Sequence, residues 1–89
     1  MNSNVIWKLK IRDKVYKEIS KFPEDVSKRI LEVIESLTLD PYAGDIEKMK
    51  GEINIWRRRV GDYRIFYEII FDGMIIYVFH TERRTSKTY

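Results

Sequence analysis

Between Trp56 and Ile70 the chain reads WRRRVGDYRIFYEII, a stretch that carries Arg57, Arg58, Arg59 and Arg64. A guanidinium stays protonated at physiological pH and presents a planar fork of donors that matches the oxygens of a phosphate. Arginines grouped in this way could seat a phosphate and stabilise extra negative charge on it during a transfer reaction. They are poor proton shuttles, because their pKa lies above ~12. Any acid–base step therefore needs other residues. The aromatic and β-branched neighbours mark the stretch as sheet. Like charges directly opposite each other in a sheet destabilise it by about a few tenths of a kcal/mol or more, so stability alone would not choose this pattern. An anion seat accounts for it; the alternative is a solvated strand face whose arginines keep it soluble.

The 89 residues predict one domain, 1–89, with one core. The 44% hydrophobic and 35% charged residues describe a folded chain with a highly charged surface, and the net charge of +3 suits an anionic partner. With no cysteine the chain has neither a disulfide framework nor a thiolate zinc site, and a histidine-rich metal site needs more than the single histidine present. A mechanism without metal or cofactor is expected. No run approaches the roughly 18 apolar residues of a membrane span, and the N-terminus lacks the apolar segment of a signal peptide. The expected location is the cytoplasm.

The elements that must position the arginines follow from periodicity. In VIWKLKIR, Val5, Trp7, Leu9 and Ile11 alternate with Ile6, Lys8, Lys10 and Arg12, which predicts a first strand. Asp13 stands where an N-cap belongs, and Val15, Ile19 and Phe22 predict a short amphipathic helix to about Lys21. Pro23 stops it and opens a second helix, with Glu24 and Asp25 in its first turn and Val26, Ile30, Ile34 and Leu37 as its buried stripe. IEKMKGEIN reads as a connecting segment. Three sheet segments follow, Ile55 to Val60, Tyr63 to Phe71 and Met74 to about Glu82, joined by the tight-turn pairs Gly61-Asp62 and Asp72-Gly73. The fold class is α+β: an N-terminal strand, a helical hairpin and then a mostly antiparallel sheet, β-α-α-β-β-β.

Two-residue turns without bulges fix the register. Val60 then opposes Tyr63, Arg59 opposes Arg64, and Arg57 opposes Phe66. In the second hairpin Phe66 opposes Phe79 and Arg64 opposes Thr81, so Arg57, Arg59, Arg64 and Arg83 share one side. Glu68 on that side could neutralise part of the patch. Trp56, Val60, Ile65, Tyr67, Ile69, Ile76 and Val78 form the platform for the helices. Arg58 intrudes there and is expected to snorkel outward.

The segment KMKGEINIWRRRVGDYRIFYEI, with ISKFPEDVSKRILEVIESLTLDP upstream and HTERRTSKTY at the end, resembles the RelE/ParE superfamily of bacterial and archaeal toxins. The resemblance spans Trp7 to Tyr89, and its most specific part is the W-R-x-R-V-G-D-Y-R strand-turn-strand pattern. It implies a RelE-like fold and an mRNA interferase: a metal-independent endoribonuclease that enters the ribosomal A site, cuts mRNA by 2′-hydroxyl attack on the phosphate, and is neutralised by a cognate RelB-like antitoxin in a hetero-oligomer. Position by position, it assigns the catalytic roles to Arg57, Arg59, Arg64, Arg83 and Tyr89. Arg64 and Arg83 would clamp the scissile phosphate, Arg57 and Arg59 would stabilise charge, and Tyr89 would transfer a proton or stack on a base. Lys48, Lys50 and Arg84 are candidate RNA contacts.

The tail HTERRTSKTY departs from the common H-R-x-x-x-Y form, which leaves Arg83 and Arg84 as alternatives for the clamp. His80 lies near a catalytic histidine of some relatives, but the predicted pairing sets it on the helix side beside Ile65, as a partly buried structural residue; Glu82 is a possible base with the same difficulty. The second functional reading is a ParE-like toxin that inhibits DNA gyrase by binding and cleaves nothing.

Overall fold

A computed structural model of the chain describes residues 6–84. Its elements are β1 (Lys8–Ile11), α1 (Asp13–Ser20), α2 (Glu24–Ser36), β2 (Ile46–Lys48), β3 (Ile55–Val60), β4 (Tyr63–Ile70) and β5 (Ile75–Arg83). The five strands form one sheet in the order β1-β5-β4-β3-β2. β1 runs parallel to β5, and the remaining pairs are antiparallel. This is the α+β arrangement expected, with β2 added at one edge. β1 and β2 occupy opposite edges, so the helical hairpin carries the chain across one face of the sheet.

That face holds the core. Val60, Ile65, Tyr67, Ile69, Ile76 and Val78 from the sheet meet Val15, Ile19, Ile30, Ile34 and Leu37 from the helices and the turn after α2. The spacing of the helical residues explains the contact, because offsets of three and four place their side chains on one stripe. Asp13 is the first residue of α1 rather than its cap; Arg12 occupies the cap position without a side-chain hydrogen bond. The two helices are tied at their junction by Ser27, whose hydroxyl donates to the Ile19 carbonyl at 2.7 Å.

The β3–β4 hairpin closes as predicted, with Gly61 at φ +58 and Val60 opposite Tyr63. At the second hairpin the Met74 N–H donates to the Phe71 carbonyl at 3.1 Å around Asp72-Gly73. Met74 itself takes φ +55, so the strands begin one residue later on each side, at Ile70 and Ile75.

Tyr67 is fully buried, and its hydroxyl donates to the Pro41 carbonyl at 2.5 Å, which ties the loop after α2 to the sheet. Burial holds the Tyr67 phenol well above its ordinary pKa. Arg58 corrects an expectation. It does not snorkel into solvent: the loop lies over it, Nη1 donates to the Ala43 carbonyl at 3.1 Å, and Nε is buried without a partner. Gly44 makes this closure possible, because a Cβ there would fall on the Arg58 guanidinium, and its φ of +86 disfavours any other residue. Gly44→Ala should therefore lower stability by about 1 kcal/mol or more, read as a fall in urea midpoint with an unchanged slope.

Candidate functional site

The opposite face of the sheet carries the arginines. β3 and β4 pair Arg59 with Arg64 and Arg57 with Phe66, so three guanidinium-bearing residues stand on the side away from the helices. Each has a carboxylate from a neighbouring strand or loop. Arg57 pairs with Glu47 directly across on β2, Arg59 Nε lies 3.8 Å from Asp45 Oδ2, and Arg64 Nη1 lies 3.3 Å from Glu82 Oε2. Where β2 lies, the sequence predicts only a connecting segment. Its three residues contain one hydrophobic side chain, Ile46, too few to show alternation. The Arg59 N–H to Asp45 carbonyl bond at 2.9 Å extends its ladder.

The three positive charges are close enough to act on one group. The Arg57 hydrogen bond and charge hold the Glu47 carboxyl below its ordinary pKa against the opposing effect of desolvation, with lesser contributions from the Arg59 and Arg64 charges. Beside this pair lies a shallow depression of about 330 Å³ lined by Glu47, Lys48, Met49, Lys50 and Arg57. Lys48 and Lys50 line this depression, although Lys48, opposite Trp56, falls in the row of the helix side.

β5 departs from the predicted register. Ile70 faces Ile75 and Tyr67 faces Val78, but Phe66 faces His80, leaving Phe79 as an extra residue in a β-bulge. Beyond it every partner moves by one. Arg64 faces Glu82 instead of Thr81, Phe66 faces His80 instead of Phe79, and Ile65 faces Thr81, which is buried. Arg83 stands across from Tyr63 and so falls in the row of the helix side, not in the row of Arg64. The Arg84 N–H donates to the Asp62 carbonyl, continuing the ladder one rung further. Arg84 therefore takes the place in line with Arg64 and Glu82 that the sequence reading gave to Arg83. Tyr89 lies outside the described residues.

The bulge also turns His80 and Glu82 toward the arginine side, where simple alternation had not put them. His80 Nε2 and Glu82 Oε1 are 3.1 Å apart. His80 Nδ1 is 3.0 Å from Glu18 Oε2 and 2.9 Å from Lys14 Nζ, so a protonated Nδ1 donates to Glu18 and an unprotonated one accepts from Lys14. A continuous polar chain, Lys14–Glu18–His80–Glu82–Arg64, runs from α1 to the arginine face. The signal for the bulge was a histidine at a position that alternation makes core, followed by a threonine better suited to burial.

The residues that match this arrangement elsewhere identify the chain. The family described as "ParE toxin of type II toxin-antitoxin system, parDE" matches residues 5–85. The chain belongs to the RelE/ParE toxin family. RelE1 of Methanocaldococcus jannaschii is 30% identical over 79 residues, covering 85% of this chain and 88% of RelE1. Toxin RelE3 of the same organism is 40% identical over 63 residues, 66% of this chain and 72% of RelE3. Among solved structures, the archaeal RelE-RelB complex from Pyrococcus horikoshii OT3 contains a chain that superposes with a TM-score of 0.79 at 25% identity, covering 92% of this chain and 99% of that one. The protein is a RelE-like toxin of a toxin-antitoxin system, and its structural neighbours include RelE–RelB complexes. Among the described residues no helix is long and apolar enough to cross a membrane.

Glu18 is the fixed point behind the site. Its carboxylate accepts from the Thr81 backbone N–H at 2.8 Å and the Thr81 hydroxyl at 3.0 Å, just where β1 has ended and that edge of β5 would lack a partner. Burial raises its pKa, but the hydrogen bonds from Thr81 and Lys14 and the His80 charge outweigh that, leaving it below the ordinary carboxylate range. A depressed carboxyl pKa contributes stability that is present above its unfolded value and is lost as the pH falls through its folded value. Glu18→Ala should cost about 1–3 kcal/mol at pH 7, because it leaves the buried Thr81 donors unsatisfied. The difference from the parent should narrow below about pH 4, measurable in urea titrations at both pH values.

Proposed function

We propose that this toxin is a metal-independent endoribonuclease that cleaves mRNA in the ribosomal A site and is neutralised by a RelB-like antitoxin. The observation that carries the reading is the gathering of Arg57, Arg59 and Arg64 on the helix-free face, with Arg84 in line. Homology to RelE toxins supports the same class of activity. A location in the cytoplasm, where the ribosome works, follows from the reading.

In this mechanism the 2′-hydroxyl oxygen bonds to the adjacent phosphorus and its proton passes to a base. The bond from phosphorus to the 5′-oxygen breaks, and that oxygen takes a proton from an acid. The products are a 2′,3′-cyclic phosphate and a 5′-hydroxyl. Arg64 and Arg84 hold the scissile phosphate, Arg84 taking the position otherwise assigned to Arg83. Arg57 and Arg59 stabilise the charge that develops on the phosphorane-like transition state. His80 and Glu82, joined to Arg64, are the candidate proton-transferring groups beside the phosphate seat, and Tyr89 is assigned to proton transfer or base stacking by the family resemblance. Lys48 and Lys50 contact the RNA backbone beside Arg57.

The present carboxylate partners fit a seat made for displacement. Surface pairs of this kind are each worth about 0–1 kcal/mol, and the two non-bridging oxygens of a phosphodiester offer bidentate, charge-assisted competition. Glu47 and Asp45 keep the guanidinium groups extended toward the open side until an anion replaces them. An antitoxin that covers this face would carry carboxylates there for the same reason.

The ParE description of the matching family favours a second reading, a toxin that binds DNA gyrase without cleaving RNA. Both readings meet in one experiment: map mRNA 5′ ends after brief expression of the parent and of an Arg57→Ala, Arg64→Ala variant, with gyrase supercoiling assayed in parallel. Cuts within codons should appear with the parent and fall by about 100-fold or more in the variant, the scale seen on removal of transition-state charge donors. Intact mRNA together with gyrase-linked DNA breaks would reject the nuclease and support the gyrase reading.

A further inference from the structure

The helices cover one face of the sheet, and the other carries more than arginines. Phe66, Phe79 and Tyr77 stand there in a row. The Phe66 and Phe79 ring centroids are 6.4 Å apart, Phe79 and Tyr77 are 6.2 Å apart, and the Lys10 Nζ sits 5.7 Å from the Tyr77 ring centre. His80 joins the near end, 5.3 Å from Phe66. None of these rings belongs to the core or packs against it. The row starts at Phe66, directly opposite Arg57, and crosses β5 to β1, where Lys10 lies beside Tyr77 and Lys8 beside Ile75. Glu68 shares the Tyr77 rung on the side away from β1.

A row of half-buried aromatic rings on an open sheet, with cations at both ends, has the composition of a single-strand nucleic-acid platform. Bases stack on the rings, and the cations take the phosphates. An aliphatic surface of the same area would suit a protein helix instead. Here the rings form a connected path, and charge complementarity selects the polyanion: Arg57 and Arg64 at one end, Lys8 and Lys10 at the other, with Glu68 repelling the backbone toward the lysine edge. The β-bulge contributes to this path, since it keeps Phe79 on the open face and turns His80 to the same side.

We propose that Phe66, Phe79 and Tyr77, ending at Lys10, form a stacking subsite for unpaired bases adjacent to the phosphate held by the arginines. The proposal rests on the RNA-cleaving reading of that arginine face. It makes the occupied site several nucleotides long and leaves the stacked bases unspecified in identity, because every base offers a π face.

The test measures binding of 2′-O-methyl oligouridines, which lack the attacking hydroxyl, to the full chain. A dinucleotide probes the phosphate seat alone, and a hexanucleotide probes the seat together with the row. For the parent the hexanucleotide should bind about tenfold tighter or more, the scale of one stacked base. Tyr77→Leu with Phe79→Leu should abolish that length advantage while leaving the dinucleotide within about twofold. Lys10→Gln, a surface change that spares the fold, should reduce the advantage by itself and reports on the row even if the leucine variant melts early. Arg64→Ala should weaken both lengths. A length advantage that persists in the leucine variant and in Lys10→Gln overturns the subsite and leaves this face to an amphipathic protein segment. Binding of both lengths unchanged by Arg64→Ala would overturn the RNA reading itself.

Discussion

Because β4 and β5 pair in registers that differ by one residue on either side of Phe79, the two ends of β5 serve different masters. From Ile75 to Val78 the strand obeys the core: Ile76 and Val78 are fully buried beneath the helices, and β1 completes their backbone pairing. Past the bulge Thr81 fills the core position, His80 and Glu82 turn to the arginine side, and the ladder ends with Arg84 tied to Asp62. On the other side of β5, β1 has run out by Val78 and leaves that strand edge unpaired. Glu18 meets that edge, which is why one α1 carboxylate serves both a strand N–H and the histidine next to it. The burial of Thr81 and the charge chain to Arg64 follow from the one inserted residue.

The arginine cluster is electrostatically unfavourable by itself, and the chain offsets it locally. Arg59 opposite Arg64 is a like-charge pair that costs about a few tenths of a kcal/mol. Asp45, Glu47 and Glu82 each return an amount of that order as exposed or half-buried ion pairs. The folded protein therefore tolerates the cluster on its open face. Arg58 shows the contrast. It is the one arginine of WRRRVGDYR that faces the helices, and it is spent on structure, pinned beneath Gly44 and the Ala43 carbonyl.

Much of this was legible in the residues. The Gly61-Asp62 turn fixed the β3–β4 register to the residue, and with it the shared side of Arg57, Arg59 and Arg64 and the core row from Ile65 to Ile69. Helical spacing placed Val15, Ile19, Ile30, Ile34 and Leu37 against that row. What escaped was non-local. β2 exists because Trp56 to Arg58 offers it an edge, not because IEK has strand character of its own. The bulge depends on which of His80 and Thr81 the core accepts, and a turn-counting register has no means to weigh that. Arg58 was expected to reach water because nothing in its neighbours announces a loop folding back from Asp40 to Asp45.

The same division separates the part of the fold that sequence change would destabilise from the part that it would not. The helix-side face is fully committed to the core, and changes there are paid in stability. The open face carries few constraints beyond strand pairing, so its side chains can be exchanged while the fold persists. Arginines placed at alternate positions of β3 and β4 cost little there, and a short bulge in β5 brings an imidazole and a carboxylate beside them. The rungs near the β3–β4 turn therefore combine backbone geometry that supplies position with solvent access that supplies freedom to vary.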